Sequence, residues 1–110
     1  MSFSPETHAI SRNPASGEIL SARPYINEQQ VDAAIAANHQ AFQQWRRQPV
    51  AARADKLRAL ADVIRRRSEE MAQTITAEMG KPILQARGEV EKSAQLCEWY
   101  ADNGSAMLST

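Results

Sequence analysis

Pro24, Pro49 and the Gly80-Lys81-Pro82 step divide this sequence, and within each division apolar residues recur every three or four positions. That period lines them along one stripe of an α-helix, whereas a strand would need strict alternation. Asn27 and Gln30 stand at capping-box spacing ahead of Val31, Ile35, Phe42 and Trp45, which share a helical face interrupted by Asn38. Proline pushes the residue before it out of the α region, so Pro49 is expected to end this first helix, over about 28–48. A second helix is expected over about 50–66, with Leu57, Leu60, Ala61 and Ile64 as its apolar face. Arg65, Arg66 and Arg67 then precede Ser68, Glu69 and Glu70. Bases at one helix end, a serine cap and acids in the next first turn suit the dipoles of two successive helices. The third helix, about 68–79, carries Met71, Ile75 and Met79, with Gly80 as its C-terminal stop and Pro82 blocking continuation. A last helix is expected over about 83–103 on Val90, Ala94, Cys97 and Ala101, with Gly104 stopping it.

The first thirty residues read differently. Asn13-Pro14-Ala15-Ser16-Gly17-Glu18 is a turn signal, because proline presets one turn dihedral and Gly17 permits positive φ. Residues 8–12 and 18–23 flank it as short strands, so a small hairpin over about 8–23 is expected. The expected fold is therefore mostly α, a short N-terminal β-hairpin followed by three or four helices. A two-stranded hairpin is marginal alone and must pack on something. The last helix poses the same problem: Leu96, Trp99, Tyr100, Met107 and Leu108 lie partly off its main stripe, and a helix apolar on several sides is usually buried. The expectation is a segment that lacks something it packs against.

Composition mainly excludes. The 110 residues match one ordinary domain, too short to hold cofactor and substrate between two domains. Thirteen basic residues balance thirteen acidic ones, so no nucleic-acid or membrane-surface partner is expected. Nineteen alanines against four glycines favour helix and leave little for glycine-built phosphate loops. The single cysteine excludes an internal disulfide framework and suits a reducing compartment. The N-terminus has no basic and apolar signal-peptide pattern, and no apolar run approaches the ~20 residues of a membrane span. A soluble cytoplasmic protein is expected.

No catalytic constellation emerges from the residues. Cys97 lies on an apolar stripe and reads as inert packing rather than as a nucleophile. His8 and His39 fall in different elements with no third ligand at metal spacing. Glu89, Glu91 and Glu98 spread around a helix as a solvated face, and the Arg65–67 run reads as helix-end charge. Gly80-Lys81-Pro82 lacks the upstream glycine and the Ser/Thr of a phosphate loop. Trp99-Tyr100 reads as packing rather than as a ligand platform.

Taken in order, the motifs are more specific than any one of them. Asn-Pro-Ala-Ser-Gly-Glu at 13–18 is followed by a helix containing Val31-Asp32-Ala33-Ala34 and ending Phe42-Gln43-Gln44-Trp45-Arg46. Arg53, the 57–64 stretch and Glu78-Met79-Gly80-Lys81-Pro82 come next, then Glu89-Val90 and Trp99-Tyr100-Ala101. This order resembles the N-terminal region of the NAD(P)-dependent aldehyde dehydrogenases, over nearly the whole chain. Within that superfamily it is most similar to bacterial succinate-semialdehyde dehydrogenases.

The resemblance implies a truncated part of the α/β aldehyde dehydrogenase fold, with the catalytic domain and most of the cofactor domain outside residues 1–110. It implies an enzyme that oxidises an aldehyde, succinate semialdehyde in that branch, to its acid with NAD or NADP. A thiolate attacks the aldehyde, hydride leaves to the nicotinamide, and glutamate-activated water releases the acid. The nucleophile, general base, oxyanion-hole asparagine and cofactor lysine all fall beyond residue 110 in the family pattern, so no catalytic or cofactor-binding residue is assigned here. The segment alone is expected to be inactive. Its partners would be the remainder of the chain, a small aldehyde and further copies in a homo-oligomer. Two sites carry over. Glu78 matches an acid that helps hold a monovalent cation with backbone oxygens near Ser11; the alternative is a helix-end acid with no ion. Lys92 falls where the family helix lines the aldehyde entrance and would attract a substrate carboxylate; the alternative is a solvated lysine. Two other readings of the whole remain open: a free-standing helical interaction module derived from the family, and a four-helix-like structural protein.

Overall fold

The computed structural model describes residues 2–109. They form two compact units, one through Gln48 and one from Pro49 onward.

The first unit holds a hairpin and a helix. Strand β1 (His8–Arg12) pairs antiparallel with β2 (Ile19–Pro24), running from His8 opposite Pro24 to Ser11 opposite Ser21. A bulge between Ser11 and Arg12 brings Arg12 opposite Ile19. The expected turn closes the hairpin. Asn13 Oδ1 accepts from the Ala15 N–H at 2.9 Å, Asn13 N–H donates to the Glu18 carbonyl at 2.9 Å, and Gly17 takes φ 76°. Helix α1 (Glu28–Trp45) opens with the capping box: Asn27 Oδ1 accepts from Gln30 N–H at 2.8 Å, and Gln30 Oε1 accepts from Asn27 N–H at 2.9 Å. Its apolar face is as expected from sequence, yet α1 buries no residue, and Ile35 is 63% and Phe42 52% exposed. The helix stops at Trp45, short of residue 48, because the chain tightens before Pro49. Arg47 N–H donates to the Gln44 carbonyl and Gln48 N–H to that of Trp45, three-residue steps that carry Gln48 out of the helix.

The second unit is three helices, α2 (Val50–Arg66), α3 (Ser68–Met79) and α4 (Ile83–Leu108). Helix α4 packs against both others. The core is built on Ala61 and Ile64 of α2, Ala72 of α3, and Ala86, Val90 and Ala94 of α4, with Ile75, Ile83 and Cys97 packed on it. Alanine dominates because a methyl at each crossing lets the helices approach closely. The same choice leaves the larger side chains outside: Leu84, Leu96, Trp99, Tyr100, Met107 and Leu108 are all exposed.

Four expectations are corrected here. Gly104 does not end α4, which continues to Leu108: among the described residues positive φ occurs only at Gly17 and Gly80, so Gly104 stays helical at the modest cost of glycine in a helix. Ser68 is not a cap. Arg67 joins α2 to α3 directly, its N–H donating to the Val63 carbonyl and its own carbonyl accepting from Met71, so Ser68 is already the first helical residue. The buried side of α3 is marked by Ala72 rather than by Met71 and Met79, both of which stay exposed, Met79 at 76%. On α2, Leu60 likewise lies outside the core that Ala61 and Ile64 define. Gly80 does end α3 as expected, at φ 69°, donating its N–H to the Thr76 carbonyl at 2.9 Å.

Candidate functional site

Helix α4 carries six charged side chains, and the structure divides them unequally. Glu91 and Glu98 stand two turns apart on the side facing α2, so one guanidinium can serve both. Arg65 of α2 donates from Nε and Nη2 to Glu91 at 3.0–3.3 Å and from Nη1 and Nη2 to Glu98, the latter at 3.0 Å. Asp102 accepts from Arg58 of α2 at 3.0 Å, and Arg58 also reaches the Ala101 carbonyl. Glu89 is held by Lys81, from the link between α3 and α4. Arg87 pairs with Glu69 of α3 through two contacts of 2.9 Å. The sixth is Lys92, which the resemblance alone associates with the aldehyde entrance. It is exposed, and among the described residues it has no ion-pair partner.

The electrostatics follow the geometry. Glu91 and Glu98 are both held below the ordinary carboxylate value because each accepts hydrogen bonds from Arg65. Arg65 is correspondingly raised, first by Glu98 and then by Glu91. Glu69 is lowered by Arg87, and Glu70 by Arg67. Every acid on α4 is thus matched to a base from outside the helix, leaving Lys92 without an ion-pair partner among the described residues. The surface beside it is open. Gly88 lies one turn before Lys92 on the same ridge, and a Cβ there would meet nothing within 4 Å. Between α3 and α4, Ile75, Met79, Lys81 and Glu89 line an open depression of about 370 Å³.

The cation ligands expected from the resemblance fall in different units. Ser11 is half-buried on β1, opposite Ser21, and Glu78 is exposed in the last turn of α3. The carbonyl end of α3 adds negative potential beside Glu78. Among the described residues no group of three His, Cys, Asp or Glu side chains could hold a metal ion. Cys97 sits half-buried against the alanine core as a free thiol. His8 and His39 lie in the first unit, engaged with Thr7 and Gln43 respectively. The four glycines are also placed: Gly17 in the hairpin turn, Gly80 at the end of α3, Gly88 and Gly104 within α4. None opens a strand-to-helix turn of the kind that cradles a dinucleotide pyrophosphate.

The sequence pattern reads the glutamates of α4 as a solvated face and the Arg65–67 run as helix-end charge, and does not show that Arg65 meets Glu91 and Glu98. The available signal was the seven-residue interval between Glu91 and Glu98, which returns to the same helix side. Among the described residues no helix is long and apolar enough to cross a membrane.

Comparison with known proteins bears on the whole segment. The model of the aldehyde dehydrogenase family matches residues 3–110. The NAD(P)+ succinate semialdehyde dehydrogenase Sad of Escherichia coli K12 is 53% identical over 98% of this chain and 23% of its own length. The NADP(+) succinate-semialdehyde dehydrogenase 1 of Mycobacterium ulcerans is 42% identical over 88% of this chain and 21% of its own. The crystal structure of succinate-semialdehyde dehydrogenase from Burkholderia pseudomallei superposes with a TM-score of 0.81 at 32% identity, over 90% of this chain and 20% of that one. The chain therefore spans between a fifth and a quarter of the length of these relatives. With the family model matching residues 3–110, this chain belongs to the aldehyde dehydrogenase family.

Proposed function

We propose that this chain is the N-terminal segment of an NAD(P)-dependent aldehyde dehydrogenase whose substrate is an aldehyde bearing a carboxylate, succinate semialdehyde in the first instance. The names of the relatives support the substrate, and the share of their length that is matched supports a segment of a larger enzyme. The observation that carries the substrate class is Lys92, the exposed cation of α4 that no acid neutralises among the described residues. A lysine at the entrance attracts the distal carboxylate and turns the aldehyde end inward, a Coulomb effect that salt screens. Bound NAD(P) supplies the hydride acceptor, and residues outside this chain supply dinucleotide contacts, nucleophile and general base. The segment by itself then oxidises no aldehyde. We place the enzyme in the cytosol, where the free Cys97 thiol suits the reducing conditions, and we take it to assemble as a homo-oligomer.

The test is Lys92→Ala in the complete enzyme, with kcat/KM measured on succinate semialdehyde and on an uncharged aldehyde of similar length. The expected result is a loss roughly threefold to tenfold larger on the charged substrate, shrinking as salt is added. Equal losses, or none, remove the carboxylate reading. For the monovalent cation, Glu78 is the proposed side-chain ligand. Glu78→Gln is expected to abolish the difference in thermal stability between potassium and a bulky organic cation. An unchanged difference removes Glu78 as a ligand.

A further inference from the structure

We infer that Lys81 is a positioning residue for substrate selection: by holding Glu89, it keeps Lys92 unpaired. This deepens the reading of Lys92 given above and rests on it. Helix geometry limits which side chains can neutralise Lys92 from its own helix. The neighbours at three and four residues are Gly88, Glu89, Gln95 and Leu96. Only Glu89 is acidic. A Glu–Lys pair three residues apart on one helix is a favourable contact, so an unrestrained Glu89 would close onto Lys92.

In the structure it does not. Lys81 reaches back over Pro82 and the first turn of α4 to take the Glu89 carboxylate, and Gln95 is turned to Glu91 at 3.4 Å. The other acids of α4 are spoken for by α2: Glu91 and Glu98 by Arg65, Asp102 by Arg58. Lys81 is fixed by its surroundings. Gly80, in the left-handed region, turns the chain sharply out of α3, Pro82 restricts the backbone on the other side, and the Lys81 stem lines the depression beside Ile75 and Met79. Gly88 completes the arrangement by leaving the ridge before Lys92 without a side chain, so a substrate can approach the ammonium from that side. Lys81 thus makes no contact with substrate. It removes the one competitor for the charge that does.

The experiment compares substrates in the complete enzyme, reading the ratio of kcat/KM on succinate semialdehyde to that on an uncharged aldehyde. Three variants are measured: Lys92→Gln, Lys81→Met, and Lys81→Met with Glu89→Gln. Methionine keeps the stem that lines the depression, and Lys81→Gln replaces it if that variant is unstable. The expected result is that Lys81→Met lowers the ratio about threefold or more, toward the Lys92→Gln value, and that removing Glu89 as well restores it. A purely structural role for Lys81 would lower both substrates together and would not be rescued by Glu89→Gln. If Lys92→Gln lowers the ratio while Lys81→Met leaves it unchanged, the inference about Lys81 fails and the reading of Lys92 stands. If Lys92→Gln leaves the ratio unchanged, the reading itself fails and the inference falls with it. A low ratio that persists in the double variant also overturns the inference.

Discussion

Arg65 Nε lies 3.3 and 3.2 Å from the two carboxylate oxygens of Glu91, and its Nη2 adds a third contact at 3.0 Å, so the guanidinium plane fastens the last turn of α2 to α4. The same guanidinium serves Glu98. A planar five-donor fork meets two carboxylates in a fixed geometry that a three-donor ammonium on a flexible stem matches less well. Arg65→Lys is therefore expected to lower the urea midpoint, and Arg65→Ala to lower it further, because Glu91 and Glu98 then repel with nothing between them. That repulsion already opposes the lowering of Glu91 in the intact protein. Adding Glu98→Gln to Arg65→Ala should recover part of the loss. Midpoints that do not follow this order would remove the guanidinium as the helix fastener.

The same contacts set the acid limit of stability. Glu91 and Glu98 have folded values below the ordinary 4.5, held there by Arg65, and Glu69 is held down by Arg87. Unfolding returns them to 4.5, so the unfolded chain binds more protons between the two values, and stability rises with pH in that interval. The contribution is complete above 4.5 and is lost as pH falls through the lower folded values. The urea midpoint should be flat from pH 7 to about 5.5 and fall below pH 4.5. Arg65→Ala should flatten that acid slope. An equal slope with and without Arg65 would assign acid unfolding to other groups.

The capping box at Asn27 was readable from sequence because both partners lie within four residues and any helix starting there brings them together. The Gly17 turn and the Gly80 stop were readable for the same reason. The pairs that organise α4 were not. Arg65 and Glu98 are far apart in the chain, and only the crossing of α2 and α4 makes them neighbours. The face of α3 was misread because Met71 and Met79 outweigh Ala72 on any hydrophobic scale, while packing against α4 has room for a methyl and not for a thioether. Lys92 came from family likeness; no local pattern marks it, and its lack of a partner became visible only once its neighbours were placed.

Helix α1 tests how far a local device holds a helix that buries nothing within its unit. Asn27 satisfies one otherwise orphaned N–H and Gln30 returns the bond. Asn27→Ala removes the side-chain arm, leaving Gln30 Oε1 on the backbone N–H of residue 27, and is expected to cost about 1 kcal/mol, and Asn27→Asp to cost little. Amide hydrogen exchange in the first turn of α1 reads the effect directly, with faster exchange at Gln30 in the alanine variant. Protection unchanged at Gln30 would mean that the turn is held by contacts other than the cap.

Gly88 separates stability from function at one position. It sits inside α4 with ordinary helical φ, and an added Cβ would meet nothing within 4 Å. Glycine in a helix interior costs roughly 0.8–1.0 kcal/mol relative to alanine, so no packing reason within this segment opposes the replacement. Gly88→Ala is expected to stabilise the protein by about that amount in urea unfolding. The same methyl stands on the ridge one turn before Lys92. Selection for the charged over the uncharged aldehyde should therefore weaken while stability rises. A bulkier Gly88→Leu should strengthen the second effect more than the first. If both variants keep the parental substrate ratio, the approach to Lys92 does not pass over Gly88.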